Sequence, residues 1–303
     1  METPAIDQPQ QSAADQAVAE TTQNSIQPSG AGEPAQLVYA LGLISYDIIK
    51  EPRGHSLKAT GTNLPEDPDD PYDPYKHQKF LTHLEQSPYD AASVTWVLTQ
   101  QETPVYAIQP AGPFAAHAYE KLREFLALQH AKDVQQVTIP GYLTGDTVTL
   151  RNSHVVPVIT PDIRGMYSWN IPELVKTLLK DMSDDTEYKT QSDAIKNFLE
   201  RVFYEIRSPG VAPQDRAINH AATRAFQLKY IFSEALKDGL KLESIGVERS
   251  PSCPPGSDCW DVKLVFFHPK HRLERAKNLF ALTIDVNDVV PVLMGDVRDW
   301  QQY

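Results

Sequence analysis

Two cysteines separated by a short loop are the residues of this sequence whose type and spacing most directly suggest chemistry. Cys253 and Cys259 enclose the segment PPGSD, between two stretches that predict β-strands. Two thiolates provide half of a tetrahedral zinc site, but such pairs are usually two to four residues apart, and five residues intervene here. Because the Pro-Pro-Gly segment favours a turn, we expect the two cysteines to lie close together at one end of a β-hairpin.

The histidines do not supply an evident third ligand for a zinc site. His268 follows Cys259 along an extended strand, which places it roughly 30 Å away at about 3.3 Å per residue. A complete site would therefore need His117, His220 or a neighbouring subunit. The alternatives to a structural zinc are two unlinked thiols, a disulfide and a reactive cysteine.

A cluster of Arg, Tyr, Trp and Asn around a glycine, in residues 162–170, is a second candidate site. Its members are Arg164, Tyr167, Trp169 and Asn170. Arg, Tyr and Trp dominate binding hot spots because they combine a large contact area with directed hydrogen bonds. The segment therefore predicts a groove for a peptide. The alternative is a loop whose Tyr and Trp pack inward while Arg164 pairs with Asp162.

Two further groups of polar residues are weaker candidates. A predicted helix places four side chains on one face at spacings of three to four residues: Arg216, His220, Thr223 or Arg224, and Gln227, with Asp215 nearby. Such a face suits acid–base chemistry, because His changes charge near neutral pH, and it equally suits a solvated polar surface. The acidic, proline-rich residues 64–74 do not follow the spacing of a calcium loop and predict a solvated loop. We assign no catalytic residue from these patterns.

The composition is that of a folded, acidic protein. Of the 303 residues, 41% are hydrophobic and 22% are charged, which is ordinary for a globular chain. The chain carries 28 basic and 40 acidic residues, a net charge of −12, and no basic run to bind nucleic acid. It has no signal-peptide pattern and no apolar run of the roughly 18 residues that cross a bilayer. We therefore expect a cytoplasmic protein with neither a nucleic acid nor a membrane as partner.

Changes in composition divide the chain into three parts. Residues 1–35 are rich in Gln, Ala, Ser and Pro, contain no aromatic residue, and predict a disordered leader. Residues 36–150 predict a first subdomain of mixed α and β structure, which begins with a buried strand at residues 37–46. Within it, Asp90 is expected to cap a short helix that extends through Leu98. Residues 151–303 predict a second subdomain.

The second subdomain has the clearer periodicity. Apolar residues recur at helical spacing in residues 192–206 and again from Pro213 to about Lys237. Three β candidates follow at residues 242–249, 260–267 and 280–286, with a possible edge strand at 289–294. Two helices packed on an antiparallel meander are the simplest way to bury both apolar faces. The predicted fold class is therefore α+β.

Several stretches of the sequence resemble the region at the carboxyl-terminal ends of PatG and PatA, the multidomain maturation proteins of cyanobactin pathways. They are YALG at 39–42, YDAAS at 89–93, TPVYAIQPAGPFAA at 103–116, RGMYSWN at 164–170, PQDRA at 213–217, ERSP at 248–251 and CWDVKL at 259–264. They occur in the order found in that family. The resemblance identifies residues 36–150 and 151–303 as the two parts of a domain of unknown function.

The resemblance implies a pathway and leaves the reaction open. The Asp, His-Gly and Gly-Thr-Ser settings of the subtilisin-like protease in those proteins do not occur here, so we expect a non-proteolytic accessory protein. The expected partner is a precursor peptide or another maturation enzyme, and the only cofactor considered is the structural zinc. One alternative is a peptide-modifying enzyme of unrecognised type that uses Arg164, Tyr167, Asn170 and His220. Another is a structural module that forms a homodimer.

Overall fold

Strands rich in β-branched and aromatic residues build the amino-terminal half of the fold. The computed structural model describes residues 35–47, 74–131, 136–170, 208–223, 239–271 and 274–303, with isolated positions from 173 to 235. Gln36–Tyr303 form one unit by their contacts. The predicted leader, except for Ala35, and most of the predicted acidic loop at residues 64–74 lie outside the described residues.

Five of these strands close into a barrel. They are β1 (Leu37–Asp47), β2 (Thr95–Gln100), β3 (Thr103–Ile108), β4 (Gln136–Thr149) and β5 (Val155–Pro161). The order is β1-β2-β3-β5-β4, and pairing of β4 with β1 completes the ring. The β3–β5 pair is parallel, whereas the other pairs in the ring are antiparallel. A short strand, β6 (Tyr167–Trp169), adds to β4.

Closure of the barrel depends on β1, which has two partners along its length. Residues 37–42 pair with β4, and residues 43–47 pair with β2. At Gly42, where the partner changes, a Cβ atom would collide with the backbone oxygen of Thr99 on β2. A glycine is therefore needed at this close approach of two adjacent strands.

The predicted fold class, an α+β fold ending in two helices on a meander, was wrong. The described residues contain eleven strands in two sheets and are mostly β. The pairing that closes the barrel joins Leu37 to Tyr142. Local sequence patterns do not reveal pairing across such a separation, because they report only the periodicity of each segment. The patterns of residues 36–150 therefore predicted separate short strands and did not reveal the barrel.

The short helix expected between Asp90 and Leu98 was also wrong. The chain forms a 3-10 helix, Pro88–Ser93, and then enters β2. The run TWVLTQ is rich in residues that favour strands, and this preference outweighs the potential helix cap. Asp90 instead pairs with His83, whose Nε2 lies 2.8 Å from the carboxylate.

Two α-helices pack on the barrel together with the 3-10 helix. They are α1 (Pro74–Gln86) and α2 (Ala115–His130). Their apolar faces share one buried cluster with the barrel strands, and its large members include Phe80, Leu84, Trp96, Leu122, Ile139, Ile159 and Met166. Burial of each such side chain contributes about 1.5–3 kcal/mol. This cluster therefore fixes α1 and α2 relative to the barrel.

A second sheet forms the carboxyl-terminal half. Its strands are β7 (Lys241–Arg249), β8 (Cys259–Phe267), β9 (Lys277–Asp285), β10 (Val292–Leu293) and β11 (Arg298–Gln302). The antiparallel series β7-β8-β9 lies close to the positions that the sequence predicted. β10 and β11 both pair with β9. The sequence did not predict β11. All five of its residues are exposed, so its sequence lacks the alternation of apolar and polar residues that marks a half-buried strand.

The helix α3 (Pro213–Ala222) begins at the predicted proline and ends with Thr223 as its cap. Most of the remaining predicted helix to Lys237, and most of the predicted helix at residues 192–206, lie outside the described residues. In the part of the chain that is described, no helix has the length and apolarity needed to span a membrane.

A solvated polar face had been one interpretation of α3, and the structure contradicts it. Arg216, His220 and Thr223 are all buried, because α3 packs against β1 of the barrel and against β8 and β9 of the second sheet. Arg224 and Gln227 lie outside the described residues. Burial of this face makes α3 the element that joins the two halves.

Candidate functional site

A groove lies between α1, the 3-10 helix and α2. Its volume is about 510 Å³, which falls in the range of small-molecule and peptide side-chain pockets. The lining combines apolar, aromatic and charged residues: Leu84, Pro88, Tyr89, Ala91, Ala92, Ala116, His117, Tyr119, Glu120 and Arg123. We call this the α1–α2 groove.

Hydrogen bonds between neighbouring elements hold the walls of the α1–α2 groove. The indole N–H of Trp96 on β2 donates to the carbonyl of Ala91 at 2.9 Å, which ties the 3-10 helix to the barrel. A guanidinium N–H of Arg123 on α2 donates to the carbonyl of Leu84 near the end of α1 at 3.0 Å. One bond thus ties the 3-10 helix to the barrel and the other ties α2 to α1, so both hold parts of the wall without a ligand.

Aromatic side chains at the α1–α2 groove are exposed to an unusual degree. Tyr89 is 92% exposed, although burial of such a ring would be favourable by several kcal/mol at about 25 cal/mol per Å². Phe114, at the amino-terminal end of α2, is 62% exposed and lies beside His117, with ring centroids 6.5 Å apart. Tyr119 is partly buried, and burial raises the pKa of its hydroxyl, so this group remains a hydrogen-bond donor at neutral pH.

Two opposite charges stand on the wall that α2 contributes to the groove. Glu120 and Arg123 are three residues apart on the helix and both line the groove. Among the ion pairs of the described residues, neither Glu120 nor Arg123 takes part in one. The α1–α2 groove therefore presents both an acceptor and a donor of charge-assisted hydrogen bonds.

Arg164, the first residue of the predicted peptide site, forms a local ion pair. Its Nε and one terminal nitrogen donate to the carboxylate of Asp162 at 3.0 Å and 2.6 Å. The hydrogen bond from Arg164 holds the pKa of Asp162 below its usual value, although partial burial opposes this shift. Arg164 thus has the partner that the alternative interpretation proposed.

The three other residues of that segment face different surroundings. The indole N–H of Trp169 donates to the Thr138 hydroxyl at 2.7 Å, which directs the ring toward β4. Asn170 accepts a hydrogen bond from the N–H of Glu173 at 2.9 Å, as a helix cap does. Tyr167 is 52% exposed. The predicted inward packing therefore fits Trp169 and does not fit Tyr167.

The Arg164–Asn170 segment contacts α2 but does not line the α1–α2 groove. Lys121 makes the contact: its ammonium donates to the carbonyl of Met166 at 3.0 Å and lies 5.6 Å from the centre of the Tyr167 ring. The groove residues Glu120 and Arg123 occupy other positions of the same helix. Two separate surfaces with exposed tyrosines therefore adjoin α2.

The two cysteines form a disulfide, with their Cα atoms 5.5 Å apart. Their predicted proximity at the end of the β7–β8 hairpin is confirmed, and the N–H of Ser250 donates to the carbonyl of Cys259 at 2.9 Å beside them. Disulfide formation was one of the alternatives open from the sequence. A zinc site requires the thiolates instead, and it stays a prediction.

The additional metal ligands considered from the sequence are dispersed. His117 lines the α1–α2 groove, and His220 is buried on α3. Within the described residues, no group of three or more His, Cys, Asp or Glu side chains is placed to hold a metal ion. The Cys253–Cys259 pair is thus a crosslink of the hairpin in this structure.

Sequence reasoning missed the α1–α2 groove as a site. In the sequence, YDAAS at residues 89–93 indicates only the family resemblance, and Asp90 predicts a helix cap. The usable signal was the tyrosine after Pro88, which follows the end of a helix and therefore stands at a corner. Tertiary packing decides that Tyr89 is exposed. It also brings Glu120 and Arg123 to the same groove as Tyr89.

Comparison with known proteins gives concordant matches over both halves of the chain. Residues 37–164 match the family described as PatG Domain, and residues 185–300 match the family described as PatG C-terminal. A solved structure described as PatG Domain of Unknown Function is 34% identical, with a TM-score of 0.77, over 88% of this chain and 100% of that chain. No curated protein matches the chain.

Proposed function

Since the chain belongs to the family of PatG domains of unknown function, we propose that it is a non-proteolytic accessory protein of cyanobactin-type peptide maturation, acting in the cytoplasm. Its role is to bind a precursor peptide, or a peptide segment of another maturation enzyme, in the α1–α2 groove. The observation that supports this proposal best is a preformed groove of about 510 Å³ with Tyr89 almost fully exposed at its edge.

The composition of the groove supports a peptide as its ligand. Peptide-binding sites need apolar surface for side chains and a few polar groups that fix orientation. Leu84, Ala91 and Ala92 supply the apolar surface, while Glu120 and Arg123 supply the polar groups. An exposed tyrosine can close over a bound chain with little loss of conformational entropy, because its side chain has few rotatable bonds.

The non-proteolytic part of the proposal rests on the sequence. None of the subtilisin-type settings for a nucleophilic Ser, a His base and an orienting Asp occurs in the 303 residues. Binding without chemistry is the simplest role compatible with that observation. The enzyme alternative keeps Arg164, Tyr167, Asn170 and His220 as its residues, and the homodimer alternative needs no ligand.

The surface around Tyr167 remains a second place where a peptide would bind. Arg164, Tyr167, Trp169 and Asn170 were the residues predicted from the sequence. Tyr167 is half-exposed and Lys121 lies over its ring, so this pair offers an aromatic face beside a positive charge. The groove is the stronger candidate because it is concave and because Trp169 and Asn170 already have partners within the fold.

Titration of the purified protein with a cyanobactin precursor peptide tests the proposal. Leader and core segments are assayed separately by calorimetry, and the recovered peptide is then examined by mass spectrometry. We expect binding with no change in the mass of the peptide. A change in mass would support the enzyme alternative, and a protein that binds neither segment but forms a dimer by light scattering would support the structural alternative.

Three tyrosine variants locate the site. Tyr89→Ala should weaken binding, whereas Tyr303→Ala is the matched control because Tyr303 is fully exposed and does not line the groove. Tyr167→Ala tests the second surface. If Tyr167→Ala weakens binding and Tyr89→Ala does not, the peptide binds beside β6 and the groove is not its site.

A further inference from the structure

We propose that the α1–α2 groove selects peptide segments in which an acidic side chain neighbours apolar residues, and that Arg123 binds the carboxylate. This inference rests on the proposed function and specifies the class of peptide. It follows from three observations on Arg123: the residue lines the groove, a hydrogen bond holds its side chain, and it forms no ion pair among the described residues.

Arg123 is held in place before a ligand binds. The residue is partly buried on α2, and one terminal N–H donates to the carbonyl of Leu84 at 3.0 Å. Leu84 is itself fully buried. A guanidinium has five N–H donors in a planar fork, so a single backbone contact leaves most of them available. The fixed fork matches the two oxygens of a carboxylate.

The missing counter-charge distinguishes Arg123 from three other arginines of the described residues. Arg164 pairs with Asp162, Arg298 pairs with Asp261, and Arg249 lies near Asp258. Arg123 forms no ion pair with a carboxylate among the described residues, although it lines a groove whose walls include the apolar side chains of Leu84, Ala91 and Ala92. A charge at the edge of apolar surface is poorly solvated and gains from an external partner.

Glu120 limits which peptides bind well. It is exposed on the same wall of the groove, and like charges within a few ångströms repel. The net charge of −12 also opposes an acidic ligand, but salt screens that repulsion beyond about 8–10 Å. Removal of the Glu120 charge should therefore strengthen binding of an acidic segment, whereas removal of the Arg123 charge should weaken it.

The test uses short synthetic fragments that tile a cyanobactin precursor peptide, each made with its natural acidic residues and with the corresponding amides. Binding of every fragment to the full chain is measured by fluorescence anisotropy. We expect the acidic fragments that bind the wild-type protein to lose about tenfold in affinity with Arg123→Gln, the scale of one charge-assisted hydrogen bond. Replacement of their carboxylates by amides should cause a similar loss.

Two further variants separate charge from folding. Arg123→Lys retains the positive charge but loses the planar fork, so its affinity should lie between those of the wild type and Arg123→Gln. Glu120→Gln should increase the affinity for acidic fragments. Thermal melting of each variant, with circular dichroism, identifies any loss of fold caused by removal of the bond to Leu84. Arg123→Glu should in turn prefer fragments whose acidic residue has been changed to lysine.

The outcomes distinguish the two proposals. If fragments bind in the groove with affinities that do not depend on their carboxylates or on Arg123→Gln, the selection of acidic segments is wrong and peptide binding stands. If no fragment binds the wild-type protein, both proposals fail. The inference would also be contradicted if Arg123→Lys bound acidic fragments no better than Arg123→Gln and Arg123→Glu showed no preference for the lysine fragments.

Discussion

The backbone N–H of Tyr39 on β1 donates to the carbonyl of Gly210 at 2.8 Å, and this contact joins the barrel to the segment that leads into α3. Asn219 on α3 reinforces the joint, because its amide donates to the carbonyl of Tyr39 at 2.8 Å. The Tyr106 hydroxyl on β3 donates to the carbonyl of Pro209 at 2.7 Å. Both halves of the molecule therefore share one hydrogen-bonded seam around Tyr39.

Gly210→Ala should destabilise the protein strongly. Gly210 has φ +75°, and a Cβ atom would collide with the backbone of Tyr39. Strain in the left-handed region costs about 1–2 kcal/mol and steric overlap in a packed interior adds about 1–3 kcal/mol. We expect a loss of about 3 kcal/mol in the free energy of unfolding, measured by urea denaturation.

Gly239→Ala is the matched control for this prediction. Gly239 has φ +63°, but no heavy atom of the described residues lies within 4 Å of its added Cβ. Only the backbone strain applies there, so the expected loss is about 1–2 kcal/mol. Equal losses for the two variants would show that the backbone of Tyr39 shifts at little cost to accommodate the added Cβ, and that the seam is loosely packed.

A buried carboxylate attaches β11 to the second sheet. Asp261 on β8 is 2% exposed, accepts a hydrogen bond from the Thr283 hydroxyl at 2.7 Å, and lies 2.6 Å from a guanidinium nitrogen of Arg298. Burial acts to raise the pKa of Asp261, but hydrogen bonds from Thr283, Arg298 and Ser250, with the charge of Arg298, hold it below the usual value. The ionised carboxylate is thus the form that the fold stabilises.

The pH dependence of stability follows from this lowered pKa. A carboxyl group with a lower pKa in the folded state contributes stability above its unfolded pKa, about 3.9, and loses it as the pH falls through the folded value. We expect Arg298→Ala to reduce the free energy of unfolding at neutral pH by about 2 kcal/mol, because it deprives a buried charge of its partner. The variant should also lose less additional stability than the wild type when the pH falls below about 4.

Arg249→Ala is the control for the Asp261 prediction. Arg249 lies 3.7 Å from Asp258, and its side chain is 77% exposed. Exposed ion pairs contribute about 0–1 kcal/mol, so its removal should have little effect at any pH. Urea denaturation as a function of pH makes the comparison, and parallel profiles for wild type and Arg298→Ala would refute the proposed role of Asp261.

The β7–β8 hairpin is encoded by local features of the sequence. Both strands and the proximity of Cys253 and Cys259 were predicted, because alternation of apolar residues and a Pro-Pro-Gly turn are local signals. The chemistry of the pair stayed open, because spacing does not distinguish a disulfide from two thiols or from half of a metal site. That distinction needs the orientation of the two side chains, which only the folded hairpin supplies.

The barrel and the α1–α2 groove lay beyond the sequence patterns for a related reason. Closure depends on β1 pairing with both β2 and β4, and neither partner is encoded by the periodicity of β1. The buried face of α3 was misjudged because Arg216 and His220 are polar and are normally exposed. Their burial follows from the position of α3 between two sheets, which is a tertiary property.

The disulfide carries a direct prediction. Thiol titration of the denatured, unreduced protein should find no free thiol, and Cys259→Ser should lower the free energy of unfolding by about 2 kcal/mol. The hairpin itself should persist, because the β7–β8 and β8–β9 ladders do not depend on the crosslink. Two free thiols together with stoichiometric zinc by elemental analysis would establish the zinc alternative instead.

Trp169 offers a test of whether the predicted peptide segment is structural. Its indole N–H donates to the hydroxyl of Thr138, which is fully buried on β4. Trp169→Phe removes the donor and should reduce the free energy of unfolding by about 1 kcal/mol, as should Thr138→Val, because a buried hydrogen bond contributes about that much. In the double variant the loss should be smaller than the sum of the two, since both single variants remove the Trp169–Thr138 bond. Thr138→Val also removes the longer bond, 3.4 Å, from the Thr138 hydroxyl to the Tyr167 carbonyl. Additive losses, or weaker peptide binding by Trp169→Phe at unchanged stability, would instead assign Trp169 to a binding surface beside β6.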